Sequence, residues 1–184
     1  MKDKKVTESS LELFDMANGD IEGVEGHLFK KYGFEKRNRI LAVSYSQLAV
    51  EKLLKGYLRY NNEIVSWGHN LNKYYKQSCD LDKSFINIED NIFRLNRYDA
   101  GLKYTLKIEI NDETFMKLLK DLREIYNFTP FQKIYDEFIE KKLCNKISLE
   151  RFDKMIEEFD NIVNNNKIRE IDSISNKQFD SREN

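Results

Sequence analysis

Apolar residues recur at every third or fourth position along most of the chain, and short polar stretches interrupt them, which is the period of helices packed on one face. From Asn111 to Tyr126 the stripe is unbroken: Phe115, Leu118, Leu119, Leu122, Ile125 and Tyr126, with Asn111 placed to cap its start. Thr129-Pro130 ends this helix and opens the next, because proline fits the first turn of a helix but not its interior. Phe131, Ile134, Tyr135, Phe138 and Ile139 then repeat the pattern. Ser148 is set to cap a last clear helix, with Ile147 and Phe152 forming a hydrophobic staple across the cap. Its apolar face is Leu149, Phe152, Met155, Ile156, Phe159, Ile162 and Val163.

The first third of the chain reads as two helices. One runs from about Thr7 to Lys31 through Leu11, Leu13, Phe14, Met16, Ile21, Val24, Leu28 and Phe29. Gly19, Gly23 and Gly26 weaken it, each by roughly 1 kcal/mol relative to alanine, unless they admit a neighbouring helix closely. A break near Asn18-Gly19 is the alternative to one continuous helix. The second helix, Asn38 to about Tyr60, is apolar nearly all round through Ile40, Val43, Tyr45, Ala49, Val50, Leu53, Leu54 and Tyr57, which predicts the centre of a bundle. Its one polar strip is Ser44, Gln47, Glu51 and Lys55, flanked by Lys52 and Arg59. Beyond Asn61-Asn62, a loop through Ser66, Trp67 and Gly68 leads to His69-Asn70-Leu71 and a short helix to about Gln77. A second loop is predicted over 78–87, then a helix from Ile88 that stops near Tyr98-Asp99-Ala100-Gly101. Past Asn164 the text turns polar and predicts fraying, although Ile168, Ile171 and Ile174 keep a helical spacing.

Composition sharpens this into a fold class. One proline and seven glycines in 184 residues leave few helix breakers, and the length suits one domain with its own core. The expectation is an all-α single domain over residues 1–163. It comprises an up-and-down helical bundle of four to five helices (about 8–127), two additional C-terminal helices (about 130–163) and a polar tail, 164–184. With 31 basic and 32 acidic residues the net charge is -1, so nucleic-acid binding would need a local patch. The N-terminus has no apolar leader core, and no run approaches the roughly 20 apolar residues of a membrane span, so a soluble cytoplasmic protein is expected. Cys79 and Cys144 stand far apart without CxxC spacing and read as free thiols.

Candidate chemistry is sparse. There is no glycine-rich phosphate loop, and His27 and His69 are too few imidazoles for a histidine metal site, so neither metal nor cofactor is expected; a carboxylate-bound cation stays open. His69 either caps the short helix or faces the bundle as a structural residue, or it acts as a general base or ligand contact. Glu51 and Lys55 read as a surface (i, i+4) pair. The other reading makes the strip one wall of a cleft, with Lys103 or Tyr104, for an anionic ligand or a partner protein. Tyr98 and Tyr104 read first as core edges with a hydroxyl at the surface.

The run from Ala42 to Leu58, AVSYSQLAVEKLLKGYL, resembles the signature helix of the HEPN superfamily, the higher eukaryote and prokaryote nucleotide-binding domains. Gln47, Ala49, Glu51-Lys52 and Leu54-Lys55 match the helix, His69-Asn70-Leu71 resembles its His-Asp-Leu-like turn, and Lys103-Tyr104 stands for a later Arg-Tyr-like pair. The likeness covers roughly residues 8 to 127. It implies a helical bundle, often a homodimer, that serves as a ribonuclease toxin or as partner of a small nucleotidyltransferase in toxin-antitoxin and defence modules. Active ribonucleases of the family carry an Arg followed four to six residues later by His. Here the nearest Arg before His69 is Arg59, ten positions away, and none precedes His27. The resemblance thus implies a non-catalytic module that binds a partner protein or a nucleotide through Ser44, Gln47, Glu51 and Lys55, with His69, Lys103 and Tyr104. The alternatives are an atypical ribonuclease acting on RNA with His69, Lys55 and Glu51, and an interaction protein that works through its last helices.

Overall fold

A computed structural model describes residues 4–28, 36–65, 68–98 and 110–180, with side-chain surroundings for 9–28, 38–65, 68–98 and 110–165. Among the described residues there are seven α-helices and no strand: α1 Lys4–Leu28, α2 Lys36–Tyr60, α3 Leu71–Leu81, α4 Glu89–Asn96, α5 Asp112–Tyr126, α6 Thr129–Glu140 and α7 Leu149–Asp180, with a 3-10 helix at Lys83–Ile88. No described helix is long and apolar enough to cross a membrane.

The α1 and α2 helices run antiparallel and touch at two glycines. A methyl on Gly56 would lie 2.6 Å from the Phe14 ring, and one on Gly23 would lie 2.8 Å from the Tyr45 ring. Gly19 and Gly26 have nothing within 4 Å, so of the three glycines of α1 only Gly23 serves close approach. Ser10 Oγ donates to the Gly56 carbonyl at 2.8 Å across the same contact. The helix passes Asn18-Gly19 without a break.

Phe14 then carries α1 into the C-terminal half. Its ring meets Tyr135 edge-on at 4.7 Å, Phe138 at 6.0 Å and Phe131 at 6.3 Å, all from α6. From α7, Phe159 packs on Phe115 of α5 and Phe152 on Tyr126, each at 5.0 Å, so all of these rings share one core. Polar ties follow the same route. Asn18 Oδ1 accepts from Tyr135 at 2.8 Å and Tyr126 at 3.2 Å, while its Nδ2 donates to the Asn145 carbonyl at 2.8 Å. The Tyr126 hydroxyl in turn accepts the Ile147 N–H at 2.9 Å.

Several boundaries differ from expectation. The loop predicted over 78–87 is instead the end of α3, to Leu81, followed by the 3-10 helix. In that helix Phe85 and Ile88 are buried three apart, the spacing at which side chains eclipse in a 3-10 turn. A search for the 3.6 period passes over so short an element. The α4 helix ends at Asn96, ahead of the predicted stop. The α7 helix continues through Asn164-Asn165-Asn166 to Asp180, where fraying was predicted. Asn111 does cap α5, its side chain accepting from Thr114 N at 2.8 Å, and Pro130 sits in the first turn of α6.

Candidate functional site

Glu51 and Lys55 stand one turn apart on α2, and the chain that follows α2 is folded back over them. Asn62, at φ 64, is the left-handed residue of a Schellman turn: its N–H reaches Arg59 O at 3.0 Å and that of Glu63 reaches Leu58 O at 2.9 Å. The returning loop is held by its carbonyls. Lys55 Nζ donates to Gly68 O at 2.8 Å, the Tyr74 hydroxyl to the same oxygen at 3.0 Å, and Arg59 to Val65 O at 3.4 Å. Gly68, at φ 129, takes a conformation that side chains disfavour, and this turns its carbonyl toward Lys55.

The result is a cluster of three side chains. His69 Nδ1 lies 2.9 Å from Glu51 Oε2, and Lys55 Nζ lies 2.5 Å from Glu51 Oε1 and 4.8 Å from the centre of the Tyr74 ring. The Glu51 side chain is 8% exposed and that of His69 is 69% exposed, so a buried carboxylate carries an imidazole at the surface. A carboxylate oxygen accepts, so Nδ1 is the donor to Glu51 and Nε2 is the ring nitrogen left outside that bond. The Glu51–Lys55 pair expected at the surface is therefore present but sits beneath a loop. His69 does not cap α3. That role falls to Asn70, whose side chain accepts from Lys73 N at 3.0 Å.

The rest of the strip parts company with this cluster. Ser44 and Gln47 are buried, and Gln47 Nε2 donates to the Leu95 carbonyl of α4 at 2.7 Å, so this half of the strip joins α2 to α4. Lys103 and Tyr104 lie outside the described residues. On the other side of Lys55, an open groove of about 350 Å³ is bordered by Leu13, Met16, Lys55, Arg59 and Val65.

A second polar cluster, between α4 and α5, was not anticipated. Arg94 bonds both oxygens of Asp121, at 2.7 and 2.8 Å, and Asn91 donates to the same carboxylate at 3.1 Å. The hydrogen bonds that Arg94 donates to Asp121 raise the pKa of its guanidinium above the ordinary value. The signal was in the sequence: Asp121 falls three residues after Leu118 and four before Ile125, on the apolar face of α5, where a carboxylate needs a cation. Arg94, Arg97, Tyr98 and Lys117 border a cleft beside it. Among the described residues, no three His, Cys, Asp or Glu side chains gather as a metal-binding set.

A family model described as HEPN domain matches residues 31–134. The chain belongs to the HEPN domain family. The HEPN span starts after α1 and ends within α6, whereas the resemblance in the sequence covers about 8 to 127. It contains both polar clusters, and α1 and α7 lie outside it. Within the HEPN span, His69 has Glu51 and Lys55 beside it in space and no arginine four to six residues before it in sequence. Neither a curated protein nor a solved structure matches the chain.

Proposed function

We propose that this HEPN chain is a non-catalytic binding module that engages a nucleotide or a partner protein through the face bearing His69. The observation that carries the reading is the commitment of the nearby cations. Lys55 is held by Glu51 and the Gly68 carbonyl, and Arg59 by the Val65 carbonyl. Metal-independent RNA cleavage asks for a base at the 2′-hydroxyl, an acid at the leaving oxygen and a cation for the charge that develops between them. At this cluster the described residues supply one exposed imidazole, and the cations beside it are engaged in holding the loop. Such a surface suits recognition, with the exposed His69 ring offered to a partner group.

The family resemblance implies a small nucleotidyltransferase as the partner class, a toxin-antitoxin or defence setting, and a homodimer. These belong to the same proposal, and co-purification with the product of an adjacent gene tests them.

One observation favours a ribonuclease instead: the imidazole is oriented by a buried carboxylate, as a general base is oriented in many hydrolases. The deciding experiment incubates purified protein with labelled RNA, with and without divalent metal, beside His69→Ala. The binding reading expects intact RNA from both proteins. Cleavage that disappears in the variant would establish the ribonuclease reading and remove the first.

A further inference from the structure

Away from His69, a cleft of about 330 Å³ opens between the C-terminal end of α4 and the start of α5, and its described walls include Arg94, Arg97, Tyr98, Glu113, Lys117 and Leu118. Charge at this place is mixed. Arg94, Arg97 and Lys117 share the wall with Glu113, and Asp121, Asp90 and Glu124 stand beside Arg94. Three cations among four carboxylates hold no net attraction for a simple anion.

The arrangement matters more than the balance, because these charges are unevenly committed. Asp121, whose side chain is 2% exposed, takes hydrogen bonds from Nε and Nη2 of Arg94, and the Lys117 ammonium lies 3.9 Å from the same carboxylate. Glu124 is engaged by Asn91. A guanidinium held through Nε and Nη2 keeps its Nη1 hydrogens for another acceptor. Arg97 and Glu113 are both exposed, and neither has an ion-pair partner among the described residues, although they border one cleft. The α4 side thus offers free donors and the α5 side a free carboxylate.

A ligand with a carboxylate alone would meet Glu113 and the acids behind Arg94, and one with an ammonium alone would meet the guanidiniums. A ligand that carries both charges satisfies both sides and adds none to the total. Half-buried Tyr98 and buried Leu118 supply the apolar part of the wall. The cleft volume falls near the lower bound of small-molecule sites, about 300 Å³, and suits a compact ligand.

We propose that this cleft binds a free α-amino acid with an apolar side chain. Its carboxylate is received by Arg94 Nη1 and Arg97, its ammonium by Glu113, and its side chain lies against Tyr98 and Leu118. The site shares no residue with the His69 cluster, so each stands or falls alone.

The test titrates the full-length, isotope-labelled protein at low salt and mildly acidic pH, where the amines stay charged, and follows backbone amide shifts. The probes are phenylalanine, its amide, which lacks the carboxylate, N-acetylphenylalanine, which lacks the ammonium, and glycine, which lacks the side chain. Phenylalanine should move the Thr114 and Lys117 amides. The amide and acetyl derivatives should each bind about fivefold more weakly, the upper end for an exposed ion pair. Glycine should also bind more weakly, for want of apolar contact. Arg97→Gln should weaken phenylalanine without weakening its amide, and Glu113→Gln should weaken phenylalanine without weakening the acetyl derivative. His69→Ala should change none of these affinities. Each derivative presents one end of a peptide, so equal binding by either would assign the cleft to a chain terminus and overturn the proposal. It also falls if phenylalanine moves neither amide at millimolar concentration, if glycine binds as tightly as phenylalanine, or if both variants bind phenylalanine as the parent does.

Discussion

Gly56 and Gly19 are both helical glycines, and the same substitution should act on them in opposite directions. At Gly56 an added methyl meets ring carbons of Phe14, a fully buried side chain packed against three aromatic residues of α6, so the ring has nowhere to move. Gly56→Ala is expected to destabilise the protein by about 1–3 kcal/mol, the usual penalty of overpacking. Gly19 faces open space, and there alanine gains the helix propensity that glycine lacks. Gly19→Ala is expected to stabilise by about 0.5–1 kcal/mol. Urea midpoints of the two variants, measured beside the unaltered chain, check both; a Gly56→Ala protein at least as stable as the parent would mean that the two helices part without cost.

At the scale of elements, α4 is a short helix that depends on its neighbours. It is tied to α5 through Arg94 and Asn91 on Asp121, and to α2 through the Leu95 carbonyl on Gln47. Asp121→Ala leaves Arg94 and Asn91 without their shared acceptor and is expected to cost about 3 kcal/mol in urea unfolding. Arg94→Met combined with Asp121→Leu should recover most of that loss, since an apolar pair leaves no charge behind.

These elements also mark where the sequence was legible. The stripe of α5, its Asn111 cap and the Pro130 boundary could be read because each is a local signal with one physical meaning. Glu51 and Lys55 were visible as an (i, i+4) pair, but His69 reaches them only because main-chain carbonyls at Val65 and Gly68 are drawn down onto α2. Carbonyls are the same in every residue and leave no trace in a side-chain pattern. Asp121 was overlooked for a different reason: a stripe search counts apolar positions and passes over the charged residue standing among them.

For the molecule as a whole, the last two helices are bound into the same core as the first two. Phe131, Tyr135 and Phe138 surround Phe14, and Arg151 of α7 pairs with Glu22 and Glu25 of α1. A fragment ending at Asn127 would expose that ring and take Tyr135 and Asn145 away from Asn18. It is expected to lose its near-ultraviolet circular dichroism and its cooperative thermal transition. A sharp melt in the fragment would show that α1 to α5 suffice.

The Asn18 clasp also sets an order of events during synthesis. Its partners Tyr135 and Asn145 lie 117 and 127 positions further along the chain. The α1 helix therefore leaves the ribosome well before these partners are made, and its polar middle waits for α6 and the segment after it. A bundle made only of neighbouring hairpins escapes that delay, because local contacts close quickly and distant ones slowly. In this protein α1 is finished long after it is made.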